Sequence, residues 1–174
     1  MRRRHADGFS LIELLIAVAI VGVVAAMAIP GLRGAWMSAN EASAIGSLSA
    51  VRSAQASYAA AAGRGGFASG LSTLSAGCSG NATGFISPDL SSDPSSKSGY
   101  TVRLAASAAS TAGPNDCNGI VTSTGYYATA VPVRASFSGQ RAFATIGAPI
   151  YFNTSGVAPT EAQMAPGGGG TPLP

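Results

Sequence analysis

The sequence predicts an α+β fold, one long N-terminal helix packed on a three- to four-stranded antiparallel sheet. Three observations lead there. An apolar run from Phe9 to Ile29 continues into a stretch rich in Ala, Arg, Gln and Glu that reaches Ala62 with Pro30 as its only proline. Gly63-Arg64-Gly65-Gly66 then closes that stretch, as glycines close helices. Four strand-like runs follow, separated by turn residues.

The helix comes first. Phe9 to Ala62 is 54 residues, and at 1.5 Å per residue a continuous helix would be roughly 80 Å long. Ile45, Leu48, Val51 and Tyr58 fall on a broad, drifting stripe at helical spacing, with Trp36 near its edge, which suits packing under a sheet. A phosphate-cradling loop at Gly63–Gly66 is rejected, because no strand precedes it and no Lys-Ser/Thr follows.

Residues 67–99, rich in Ser, Gly and Ala with Pro88 and Pro94, read as a long connecting loop. The strands are expected at Tyr100–Leu104, Tyr126–Val131, Ala142–Ile146 and Ile150–Phe152. Gly113-Pro114-Asn115-Asp116, Ser138-Gly139-Gln140 and Gly147-Ala148-Pro149 are the turns between them. Residues 159–174, ending in GGGGTPLP, read as a flexible tail. The domains expected are thus a leader at 1–8, a membrane and assembly helix at 9–30, a globular domain at 31–158 and the tail. There is no internal repeat.

A chain of 174 residues holds one domain with a modest core. Charged residues make up only 10% of it, so its surface is polar through hydroxyls and backbone. The formal charge of +3 is concentrated in Arg2, Arg3 and Arg4. Without residues 1–8 the balance is 10 − 3 = 7 positive against 7 − 1 = 6 negative groups. The basic excess therefore gives no argument for nucleic acid. Cys78 and Cys117, the only cysteines, stand in no CxxC pair and near no histidine. In a chain with an export-like N-terminus they read as a disulfide between the connecting loop and the sheet.

Phe9–Ile29 is 21 residues, long enough to cross a hydrocarbon core as a helix. Arg2, Arg3 and Arg4 would hold its N-terminal side in the cytoplasm. Three readings compete: a secretory signal cut at Ala26-Met27-Ala28, a plain anchor, or a segment cut before the apolar run and then kept. Glu13 discriminates, since a carboxylate in an apolar span costs about 2.5–3.5 kcal/mol at the bilayer centre and less near an end. Neither a disposable signal nor a plain anchor has a use for it. A cut between Gly8 and Phe9 creates a cationic amine at Phe9, one helical turn from Glu13. The carboxylate can then pair with that amine or with the amine of another copy.

Gly8-Phe9-Ser10-Leu11-Ile12-Glu13-Leu14-Leu15 behind a short basic leader resembles the class III signal of type IV pilins and type II secretion pseudopilins. The strong match covers about residues 1–30. The resemblance implies that a prepilin peptidase cuts after Gly8 and methylates Phe9, and that Glu13 neutralises a neighbouring subunit's amine during assembly. Pro30 matches the proline that commonly bends pilin helices, and the segment between Gly22 and Pro30 is expected to unwind when subunits pack. It further implies a bacterial inner-membrane protein that polymerises with itself and related pilins on an assembly platform. The α-then-β order is also the family's. A pilus subunit, a secretion pseudopilin and a DNA-uptake pilin share this N-terminus.

Catalysis finds little material. His5, the only histidine, lies in the expected leader, so the mature chain has no Ser–His or Cys–His pair and no imidazole metal site. No enzyme activity and no cofactor is expected. Outside the membrane segment the carboxylates are Glu41, Asp89, Asp93, Asp116 and Glu161. Asp89, Asp93 and Asp116 would meet only if the disulfide drew their loops together, and calcium at such a site is known in some pseudopilins. Solvated turn aspartates account for them better. A nucleic-acid patch would have to use Arg103, Arg134 and Arg141 with Tyr126 and Tyr127, and sheet packing explains those tyrosines as well. Two glycosylation sequons, Asn81-Ala82-Thr83 and Asn153-Thr154-Ser155, carry little weight.

Overall fold

A computed structural model describes residues 8–78 and 83–174. Residues 1–7 of the expected leader, with Arg2, Arg3, Arg4 and His5, and most of the first sequon lie outside the described residues. The chain divides into two compact units, Met1–Trp36 and Met37–Pro174.

In the first unit the helix α1 (Leu11–Ala61) begins, and it carries Gly22 and Pro30 inside it. Proline removes one ladder hydrogen bond, yet α1 is assigned as helix through Pro30 and beyond. Between Glu13 and Arg33 this unit carries no charge, and its large apolar side chains are exposed: Phe9, Leu11, Val21 and Met27 are 76%, 79%, 66% and 80% exposed.

The second unit is built on the part of α1 from Met37 onward. Its buried face reads Glu41, Ala44, Ser47, Leu48, Val51, Ala54, Gln55 and Tyr58, steps of three and four that keep one side of a helix inward. Alanines at 44 and 54 leave room for a sheet to approach. Ile45 packs only partly, and Trp36 is exposed.

That sheet has six antiparallel strands in the order β1-β2-β5-β6-β7-β8. They are β1 (Ser95–Lys97), β2 (Tyr100–Ala106), β5 (Tyr126–Pro132), β6 (Ala142–Thr145), β7 (Tyr151–Asn153) and β8 (Thr171–Pro172). A separate hairpin pairs β3 (Ala112–Asn115) with β4 (Val121–Ser123). In β2 the inward residues are Tyr100, Val102 and Leu104. Register sets Val102 against Ala130 and Leu104 against Ala128, so large side chains face small ones and the helix can lie close. These residues, Phe143 and Ile150 form one cluster with Leu48, Val51 and Tyr58.

The sheet is wider than the three or four strands expected. The four expected strands are present, and β1 and β8 extend them. Both additions are two or three residues of Ser, Lys, Thr or Pro, too short and too polar to show alternation. Residues 67–99 are likewise more than a loop: they hold α2 (Leu71–Ser75), a 3₁₀ turn at Pro88–Leu90 and β1, with Leu71, Leu74 and Leu90 buried.

The structure also differs from the flexible tail expected at 159–174. Thr160 caps α3 (Glu161–Met164) with a reciprocal Thr160–Gln163 capping box. Tyr127 Oη donates to Pro159 O at 2.8 Å, and Leu173 N donates to Ile150 O at 2.8 Å. The tetraglycine run is a shaped turn, because Gly167 and Gly169 take φ of 80° and 75°, and a Cβ on Gly168 would collide with Ala162 O.

The glycines after α1 act by close approach as well as by termination. Gly63 N and Gly65 N donate to Tyr58 O and Ala59 O, and a Cβ on Gly66 would strike Thr122 Oγ1 in β4. The Cys78–Cys117 disulfide then ties the loop after α2 to the β3–β4 hairpin.

Two outcomes are expected. Replacing both cysteines with alanine opens a loop of sequence separation 39. It lowers stability by about 4 kcal/mol, read as a lower urea midpoint. Met164, 3% exposed, makes Met164→Ala cost about 3 kcal/mol in the same assay, whereas in a flexible tail the change would be silent.

Candidate functional site

The candidate site is the N-terminal segment from Gly8 to Pro30. Gly8, Phe9 and Ser10 precede the helix and are exposed, and α1 starts at Leu11. Ser10 O accepts the first helical bond, from Leu14 N at 3.2 Å, which puts Ser10 at the N-cap and Glu13 at the third helical position. Glu13 therefore lies in the first turn, exposed, where the helix dipole favours a carboxylate. Ser10-Leu11-Ile12-Glu13 also has the S-x-x-E spelling of a capping box, a signal that would have marked Ser10 from sequence. After Glu13 no charge occurs until Arg33. Gly8, Gly22, Gly31 and Gly34 have nothing within 4 Å of an added Cβ, so close packing within the described residues does not explain them. The helix is long and apolar enough to cross a membrane.

Polar side chains of α1 hold the loops of the globular unit, Glu41 and Gln55 through loop backbone and Tyr58 through the Asp116 carboxylate. Glu41 Oε1 accepts from Gln140 N and Arg141 N at 2.9 and 3.1 Å, and Glu41 Oε2 accepts from Arg141 Nε at 2.7 Å. Burial pushes the Glu41 carboxyl up, but those two amides and the Arg141 guanidinium outweigh it and hold it below the usual glutamate range. Gln55, fully buried, pairs both ways with the backbone of Ala68 at 2.7 and 2.9 Å. Tyr58 Oη donates to Asp116 Oδ2 at 2.8 Å. Burial first, and then Asp116, push the Tyr58 phenol up and keep it protonated.

The three aspartates do not converge. Asp89 pairs with Lys97 at 2.5 Å, Asp93 accepts from Leu71 N at 3.2 Å, and Asp116 Oδ1 accepts from Asn118 N and Ile120 N. Among the described residues no group of three or more His, Cys, Asp or Glu is placed to hold a metal ion. The basic–aromatic set is equally dispersed. Tyr126 is buried, Tyr127 is bonded to Pro159 O, Arg141 is engaged by Glu41, and Arg103 stands exposed on β2. Asn153 Oδ1 accepts from Ser155 N in a local turn.

Residues 3–29 match the family model of the prokaryotic N-terminal methylation motif. The chain carries the prepilin-type motif of type IV pilins and pseudopilins. Neither a search of curated proteins nor one of solved structures returned a match. The motif covers the exposed apolar unit and ends before the globular one. Together with the apolar helix it fits a membrane-anchored, pilin-like structural subunit.

The Glu41 cluster gives a pH prediction. A carboxyl lowered on folding contributes stability above its unfolded pKa, and that contribution is lost as pH falls through the folded value. Thermal unfolding from pH 6 down to about pH 3 is therefore expected to show a steeper acid loss for the native chain than for Glu41→Gln. Above pH 6 the variant is the less stable, by about 2 kcal/mol, through its weakened bonds to Gln140 and Arg141.

Proposed function

We propose that this chain is a structural subunit, inserted in the bacterial inner membrane with its N-terminus cytoplasmic. It is matured by prepilin peptidase between Gly8 and Phe9 and polymerised into a type IV pilus-like filament. The observation that carries the reading is the methylation motif lying over an apolar segment, helical from Leu11, whose large side chains from Phe9 to Ile29 are exposed. Such a surface needs cover: lipid before assembly, other copies of the helix in the filament. Burial at about 25 cal/mol per Å² drives helix packing only in part, since lipid already shields the surface and close packing supplies the rest.

Glu13 supplies register. The Phe9 amine released by cleavage is N-methylated and stays cationic, and Glu13 of a neighbouring copy pairs with it. A subunit at the wrong height leaves both charges buried and unpaired. Pro30 and Gly22 bound the segment that unwinds on packing, where a missing ladder bond and a glycine make unwinding least costly. The same mature N-terminus serves a pseudopilin of type II secretion, which is the second reading. A DNA-uptake pilin is less well supported, because Tyr126 is buried and Arg141 is committed to Glu41. An exported globular protein cut after Ala28 is the reading from another class.

Mass spectrometry of the mature chain tests this directly. Methyl-phenylalanine at residue 9 is expected, and a start at Ile29 overturns the proposal. Glu13→Ala is expected to insert normally and to lower filament yield by at least about tenfold, the equivalent of one lost charge pair of some 1.4 kcal/mol. Normal yield removes the register role.

A further inference from the structure

The loop between β5 and β6 has a use that the motif does not assign. Residues 133–141 form a built structure at the end of the globular unit where Asn40 and Glu41 enter it. Val133 N donates to Gly99 O, Phe137 N and Ser138 N to Arg134 O, and Ser136 N to Gly139 O. Asn40 Nδ2 donates to Ser138 O at 2.9 Å, and Glu41 takes both the Gln140 and Arg141 amides. This fixed frame nevertheless leaves Val133 and Phe137 each 56% exposed, with the Arg134 guanidinium 4.5 Å from the Phe137 ring centre. A groove of about 430 Å³ opens beside them, lined by Asn40, Ser96, Gly99, Arg134 and Ser138. Arg134 takes no part in the ion pairs Lys97–Asp89 and Arg141–Glu41.

We propose that this loop rests on the anionic phospholipid headgroup layer of the membrane that holds the apolar segment. Phe137 and Val133 enter the interfacial layer and Arg134 meets lipid phosphate. An aromatic ring and an arginine held together outside a rigid loop suit that boundary, where one end of the group is apolar and the other polar. The tether supplies the partner. Asn40, which the loop grips, is 11 residues after Ile29, the last residue of the apolar run. Whatever the chain does between them, it spans no more than about 40 Å. A patch kept that near a lipid surface needs little intrinsic affinity, because its effective concentration there is high. The contact rests on the reading that Phe9–Ile29 spans a bilayer, and it acts before assembly, steadying the globular unit over the membrane.

The test uses the full chain, one copy per nanodisc, in phosphatidylcholine with or without phosphatidylglycerol. Trp36 is the only tryptophan, so Phe137→Trp in a Trp36→Phe background gives a single reporter. Headgroup spin labels are expected to quench the introduced indole. The quenching equilibrium should weaken about fivefold on Arg134→Gln or on removing phosphatidylglycerol. Quenching no greater than that of an Ile120→Trp reporter in the same background overturns the proposal. So does protection that arises only when two copies share a disc, which would assign the patch to a second copy. An Ile20→Trp reporter with acyl-chain quenchers checks the span separately: if it is unquenched, the membrane reading itself fails, and if it is quenched while position 137 is not, only this contact fails. Should Phe137→Trp not fold, hydrogen exchange of residues 133–141 in the native chain, with and without phosphatidylglycerol, reads the same contact. Equal exchange in the two lipids overturns it.

Discussion

Backbone groups in irregular segments must find partners once water is excluded, and in the globular unit one helix face supplies many of them. Glu41, Gln55 and Tyr58 stand on the same side of α1 as Leu48 and Val51. Each reaches a loop whose amides or carbonyls have no ladder partner, or, at Asp116, a carboxylate that in turn organises its own turn. The apolar residues between them bury area and the polar ones fix position. Disrupting Glu41 would release the β5–β6 loop, while disrupting Tyr58 would unseat the hairpin beside the disulfide. The sheet stays in register with the helix because both kinds of contact lie on one stripe.

The N-terminal unit follows the opposite rule. Its large apolar side chains from Phe9 to Ile29 are exposed, and Glu13, the one carboxylate of α1 before Glu41, lies in the first helical turn. There Glu13 has a local role, favoured by the helix dipole and by the capping pattern with Ser10. Under the assembly proposal the same group serves a second purpose, with a neighbour's amine as partner. The two are compatible, since a carboxylate has two oxygens and four lone-pair directions.

Legibility from sequence followed range. The methylation motif is a local spelling, legible from a short run of neighbouring residues within 3–29. Strands β2 and β5 were legible because Tyr100, Val102 and Leu104 alternate with polar neighbours and Tyr126–Val131 is rich in β-formers. The Cys78–Cys117 bond was legible because only two cysteines exist. What escaped were features with no periodicity. Ser95–Lys97 pairs only because β2 is beside it, and GGGG looked like a tail although its glycines meet a turn's positive φ. Glu41 was one carboxylate in an inventory, since its partners Gln140 and Arg141 lie 99 and 100 residues away. No local pattern encodes that.

The two outermost strands have a further consequence. β1 is three residues with a lysine at its end, and β8 is two residues, one of them Pro172, which has no amide hydrogen to offer. A sheet bordered in this way is a poor template for edge-to-edge growth by identical molecules. For a polypeptide proposed to multiply through its greasy helix, that blunting matters: it closes the amyloid-like route of self-association and leaves ordered stacking as the mode by which many copies come together.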